Sequence, residues 1–328
     1  MTTFADMLYQ LGGMPALPTL PIPPGGTWYW VDPVNGTSGA DGLAPVANNA
    51  GHGPLLTIKQ AYDKTTDNHH DVVVLMEGAS PTIETGAITW SNSYTHLLGL
   101  CAPVREGQRA RITQLSTATG VTHLFTLSGN GCVWANVRIV QEVNDATSLG
   151  ILNVTGERNY FWNVDFAGGA HSASAIDNGC SVRITGGSEC LFDRCTFGLD
   201  TIAWATGFAG LVFAATGGAA RNTFRDCLFN AYAGNANAIF VELLGNSGID
   251  RYQIFDRCIF QNLSATAMTE AFKVAAGFDA NNKRCLLRDC TLIGATDWES
   301  NNRGILYLNN GTITGGGNAG TMLVSNST

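Results

Sequence analysis

Cys190-Leu-Phe-Asp-Arg-Cys-Thr-Phe197 recurs as Asn222-Thr-Phe-Arg-Asp-Cys-Leu-Phe229, Gln253-Ile-Phe-Asp-Arg-Cys-Ile-Phe260 and Cys285-Leu-Leu-Arg-Asp-Cys-Thr-Leu292. The second cysteine of each copy falls at Cys195, Cys227, Cys258 and Cys290, so the spacings are 32, 31 and 32 residues. Self-similarity at that period is the signature of stacked coils, each burying its apolar face against its neighbours. Treating cysteine as a small apolar residue extends the repeat upstream. Phe161-Trp-Asn-Val-Asp-Phe166 puts Val164 in the cysteine slot, and Trp134-Ala-Asn-Val-Arg-Ile139 puts Val137 there.

Each copy follows another short strand and a glycine turn, as in Arg183-Ile-Thr-Gly186 and Glu242-Leu-Leu-Gly245. One coil reads strand, glycine turn, strand, two-residue polar corner, strand, variable loop. No 3.6-residue period recurs within the unit, so helical repeats fit poorly. The expected fold is all-β, a right-handed parallel β-helix. Counted from the second cysteine, apolar residues fall at minus three, zero and plus two, which gives period two within each strand. Coils about 4.8 Å apart then place like residues in ladders. Phe197, Phe229 and Phe260 belong to one ladder and the four cysteines to another.

The corners carry charge in a pattern. Asp193-Arg194 is followed by Arg225-Asp226, Asp256-Arg257 and Arg288-Asp289, so the sign alternates from coil to coil at both positions. Like charges stacked at strand spacing repel, and alternation removes that penalty. The pattern specifies register. A catalytic reading is disfavoured because every acid has its own arginine.

The chain has 328 residues, 39 glycines and only 13% charged residues, against about 25% in an average chain. Its net charge of −8 disfavours binding to nucleic acid or to anionic membranes. No lysine or arginine precedes Lys59, so a basic leader region is missing, and no apolar run reaches membrane-spanning length. The cysteine count is nine, odd and mostly at inward positions, which reads as free buried thiols made in a reducing cytoplasm.

Residues 1–26 differ from the rest. Phe4-Ala-Asp-Met-Leu-Tyr-Gln-Leu11 reads as a short helix stopped by Gly12-Gly13, followed by a run of prolines from Pro15 to Pro24. Such a helix is marginal alone, so Phe4, Met7, Leu8, Leu11 and Pro15 are candidate partner-binding residues. The expected division is a docking arm over 1–26 and one β-helix domain over 27–328, with a cap at 27–70 and coils over 71–328.

Trp28-Tyr-Trp-Val-Asp-Pro-Val-Asn-Gly36, Leu56-Thr-Ile-Lys-Gln-Ala-Tyr62 and Asp71-Val-Val-Val-Leu75 resemble the opening of pectate-lyase-like β-helix proteins. The resemblance implies a capping helix, here over Leu55–Lys64. Met7-Leu-Tyr-Gln-Leu-Gly-Gly-Met-Pro15 resembles the N-terminus of tailed-bacteriophage β-helix proteins that accompany the major capsid protein. The resemblance implies a capsid decoration protein on the virion exterior, with the major capsid protein as partner. Low charge, with Trp204, Phe208 and Trp298 in loop-like segments, suggests a face buried between subunits of a homotrimer. The alternative is a phage tailspike or fibre module that binds or cleaves host-surface polysaccharide.

Catalytic signals are weak. Gly51-His52-Gly53 matches a polygalacturonase tripeptide, but its companion motifs are missing and it precedes the cap. Asp67-Asn-His-His-Asp71 is a metal-like cluster whose adjacent histidines diverge. Asp32, Asn35 and Asp41 have turn chemistry and not calcium-loop spacing. Glu242 with Glu270 is the carboxylate pair to examine first. The expectation is a structural protein with no enzymatic activity, no cofactor and no metal.

Overall fold

A computed structural model describes residues 25–48, 50–100, 104–276, 278, 283–300 and 306–308. The described chain is a parallel β-solenoid in which each coil adds one strand to each of three sheets. Sheet A has ten strands, from Trp28–Val31 to Leu306–Leu308. Sheet B has eight, from Thr82–Glu84 to Thr291–Ile293, and sheet C has seven, from Ile88–Trp90 to Phe272–Val274. Neighbouring strands pair in parallel and in register, as in Phe192 with Phe224 and Phe229 with Phe260. The fold is the right-handed parallel β-helix expected from the repeat.

The A-to-B corner is two residues long, one place further on than expected, with Arg194 and Cys195 between Leu191–Asp193 and Thr196–Phe197. A single left-handed residue makes it: Asn136, Asn163, Arg194, Asp226, Arg257 and Asp289 all have φ between 50° and 56°. Left-handed backbone costs a non-glycine residue on the order of 1 kcal/mol. A backbone bond ladder offsets this, because Arg194 N–H donates to the Arg225 carbonyl at 2.8 Å and Asp226 N–H to that of Asp256 at 2.9 Å. Asn163 adds a side-chain rung, its Nδ2 donating to Asn136 Oδ1 at 2.7 Å.

Two phenylalanine stacks fill the interior. Phe161, Phe192, Phe224 and Phe255 stack nearly parallel, 4.4–4.9 Å apart. Phe197, Phe229 and Phe260 form the second stack at 4.7 and 4.5 Å. Strand spacing imposes this separation, so a period-two pattern repeated by coil yields face-to-face rings. The cysteine column lies beside them. Each thiol donates to the carbonyl one coil below, Cys227 to Phe192 at 3.4 Å and Cys258 to Phe224 at 3.4 Å. The eight cysteines of the described residues are all free.

A short helix, α1 (Ile58–Tyr62), covers the first coil. It is shorter than the expected Leu55–Lys64 because Thr57 caps it in a capping box with Gln60 and the chain leaves at Asp63. Glu84 holds its first turn, accepting from Ile58 N–H at 2.8 Å. Trp204 and Phe208 are fully buried in the core, so these two rings supply no subunit interface, while Trp298 packs against Phe260 and stays partly exposed. Trp204 and Phe208 lie in loops yet fill the interior, which corrects the expectation placed on them.

The corner charges pair vertically. Arg225 Nη2 lies 2.6 Å from Asp193 Oδ2, Arg257 Nε 2.8 Å from Asp226 Oδ1 and Arg288 Nη2 3.2 Å from Asp256 Oδ2. Arg225→Asp would stack three acids, at 193, 225 and 256. We expect it to lower stability by about 1–2 kcal/mol, from the lost pair and the new repulsion together. Arg225→Gln should cost less, and equal midpoints in urea would refute the charge explanation.

Candidate functional site

Sheet C alternates along the second half of each strand. Val182 and Ile184 face the core, and the residues between neighbouring inward positions face out. The outward column runs Thr126, Asn153, Arg183, Val212, Glu242 and Lys273 in unbroken register. This line, polar except at Val212, ends in an ion pair, with Lys273 Nζ 2.7 Å from Glu242 Oε1. Glu242 is 5% exposed, so a single bonded ammonium neutralises a carboxylate largely removed from water.

Beside Lys273 the variable loops between sheets B and C wall a cavity of about 440 Å³. Asp177, Thr206, Asn237, Glu270, Lys273 and Ser300 line it. Its volume lies in the range of about 300–1,000 Å³ usual for ligand clefts. Glu270 is fixed there, its Oε2 accepting from Ser300 N–H at 2.9 Å and Ser300 Oγ at 2.8 Å. The fold thus places Glu270 and Lys273 on one cavity, with Glu242 paired to Lys273 outside its lining. Lys273, Ser300 and Asp177 escaped the sequence reading. Only the register signal could have found Lys273, since it follows Glu242 by one repeat.

The other candidates have local roles. His52 Nδ1 lies 2.5 Å from Asp41 Oδ2, and this bond holds the Asp41 carboxyl down at about 2 in a loop before α1. Asp71 is buried and accepts from Thr27 N–H and Thr66 N–H, both at 2.7 Å, while His69 reaches it at 2.6 Å. Asp32 caps its own turn, accepting from Val34 and Asn35. Among the described residues no group of three His, Cys, Asp or Glu is placed to hold a metal ion. Burial pushes the thiols of Cys132 and Cys190 up to about 12, which removes them as nucleophiles near neutrality. Phe4, Met7, Leu8, Leu11 and Pro15 lie outside the described residues. Among the described residues no helix is long and apolar enough to cross a membrane.

No family model and no curated protein matches the sequence. Solved structures do match its fold. A pectin methylesterase bound to a hexasaccharide aligns with a TM-score of 0.54 at 14% identity, over 88% of this chain and 91% of its own. A rhamnogalacturonan lyase aligns with a TM-score of 0.51 at 13% identity, over 81% of this chain and 68% of its own. A tailspike capsular polysaccharide depolymerase from an Acinetobacter baumannii bacteriophage aligns at only 0.36 and 12% identity, over 72% and 50%. The first two show that the β-helix architecture is shared with enzymes over more than four-fifths of this chain. The expectation of a protein without enzymatic activity is therefore corrected: missing polygalacturonase motifs excluded one catalytic arrangement, and the fold accommodates others.

Proposed function

We propose that the protein is a polysaccharide-acting β-helix of the tailspike or fibre type, which engages a glycan along the outer face of sheet C. One observation carries this reading: Glu270, fixed by Ser300, and Lys273, fixed by Glu242, meet in a cavity at the end of a polar column. A sugar chain offers hydroxyls that pair with carboxylates and ammonium groups. The column offers such partners at Thr126, Asn153 and Arg183 and again at Glu242 and Lys273, with Val212 between. Glycosidic cleavage further needs a positioned proton acceptor or donor. Glu270 takes that role, because its orientation is set before any ligand arrives. Glu242 is a positioning residue that holds the Lys273 ammonium. A capsid-decoration role rests on the N-terminal resemblance alone, and the polysaccharide reading has the built site.

The test is release of new sugar ends from a panel of bacterial surface polysaccharides, with binding followed in parallel. Glu270→Gln should lower turnover by about 10²–10⁴-fold while binding persists. Glu242→Gln should weaken binding more than it slows the bound complex. Turnover that is unchanged in Glu270→Gln would overturn the assignment.

A further inference from the structure

The first five strands of sheet A carry a second apolar surface, on the outside of the solenoid. Val73, Leu75, Leu97, Trp134 and Phe161 point into the core, and the residues between them form a separate apolar cluster. Two columns make it. One runs Trp30, Val74, Leu98, Ala135 and Trp162, each paired in register with the next. The other sets Trp28, Val72 and His96 in register at one end and Val133 beside Tyr160 at the other. Val133 N–H joins the two halves by donating to His96 Nδ1 at 3.1 Å. Each column has large rings at both ends and smaller side chains between them, which makes a trough. Its floor of Val72, Val74, His96, Leu98, Val133 and Ala135 is uncharged near neutrality, because burial holds the His96 imidazole down at about 4. All six floor residues are at 3% exposure or less, while the four rings of the rim stay partly exposed. Sheet faces open to water are polar, and an uncharged apolar strip on an outer face marks an interaction surface.

We propose that this trough seats the chain's own proline segment, residues 15–24, bound in cis. That segment lies outside the described residues. In the sequence Pro15, Pro18, Pro21 and Pro24 recur at every third residue. Polyproline II has three residues per turn, so this spacing aligns the prolines along one edge and Leu17, Leu20 and Pro23 along another. A helix of that kind is preformed, and aromatic-lined grooves bind it at low entropic cost. The trough offers that chemistry, with indole and phenol rings around an aliphatic floor. Charge matches too, since residues 12–27 hold no charged side chain. The connection also fits. Thr27 is pinned at the edge of the floor, its N–H donating to Asp71 Oδ1 at 2.7 Å and its carbonyl accepting from Val72 N–H at 2.9 Å. Ten residues of polyproline II reach about 31 Å. The Trp30 and Trp162 rungs are four strand spacings apart, about 19 Å, so the segment spans the trough. A strip two columns wide is far smaller than the roughly 800 Å² per partner of a stable dimer, which disfavours a second folded copy as occupant. The trough shares no residue with the sheet C cavity, so this assignment is independent of the glycan reading.

The test is photo-cross-linking in the full chain, with p-benzoylphenylalanine placed at Thr19 in one variant and at Leu20 in another. Irradiation and peptide mapping should join at least one of these positions, within a single chain, to Val72–Met76, His96–Leu100 or Val133–Ala135. Ala135→Arg, which sets a charge on the floor, should lower the yield at least tenfold. Trp162→Ala, on the rim, should lower it severalfold and serves if the arginine variant fails to fold. Ile259→Arg, at an exposed position of sheet B, should leave the yield unchanged. Cross-links between two chains would make a second copy the occupant. Cross-links to sheet B or sheet C, or none from either position, would leave the trough to a partner of other chemistry. Each of these outcomes overturns the proposal, as does an unchanged yield in both trough variants.

Discussion

Phe224→Ala should lower the unfolding free energy by about 3–5 kcal/mol, the range for deleting a fully buried aromatic ring. The ring is unexposed and lies between Phe192 at 4.9 Å and Phe255 at 4.7 Å, with Phe213 meeting it edge-on. Its neighbours cannot collapse into the space, because the backbone hydrogen bonds of sheet A hold adjacent rungs at strand spacing. Each lost ring contact forfeits roughly 0.5–1.5 kcal/mol beyond the area term. Denaturant midpoints at constant slope are the measurement. Phe224→Leu, which fills part of the volume, should cost less than half as much. A loss below about 1 kcal/mol for the alanine variant would mean that the stack contributes little to stability.

Acidification from about pH 6.5 to about pH 4 should destabilise the protein, with His96 the main cause. Burial, reinforced by His70, holds the His96 imidazole down at about 4. Its Nδ1 accepts from Val133 N–H at 3.1 Å, which only the neutral ring can do. The unfolded chain takes up the proton near the ordinary value and the folded chain resists it, so stability falls as pH falls through this window. The slope is at most about 1.4 kcal/mol per pH unit for one group. His123, also held down at about 4 by burial, with Arg183 adding to the effect, contributes in the same sense. Asp165 acts in the opposite sense. Its folded-state value lies above the unfolded one, so its contribution rises as pH falls from about 7 to about 4. His96→Asn should flatten the acid slope, and Asp165→Asn should steepen it. Urea midpoints at four pH values between 4.5 and 7.5 decide the matter, and a pH-independent wild type would refute it.

The repeat, the interior ladders and the corner pattern were legible because each depends on residues at a constant separation along the chain. Once coils stack at strand spacing, Phe197 must lie over Phe166 and under Phe229, and Asp193 must meet Arg225. Glu242 and Glu270 stood out only as a pair among the few acids outside the corners, and no period placed them together. The sequence did not reveal where the variable loops go. Trp204 and Phe208 looked like surface aromatics because their segment carries no period, yet the loop folds them inward. Asp165 looked like one sparse acid among several, and burial beneath neighbouring side chains gives it its unusual proton affinity. Glu270, Lys273 and Ser300 become one site only when a strand and two separate coils close around a cavity. Local pattern determines which residues share a column, since hydrogen bonding between strands fixes that geometry. Which columns are covered, and which groups face each other across a cleft, follows from non-periodic loops, whose paths are set by the packing of the whole molecule.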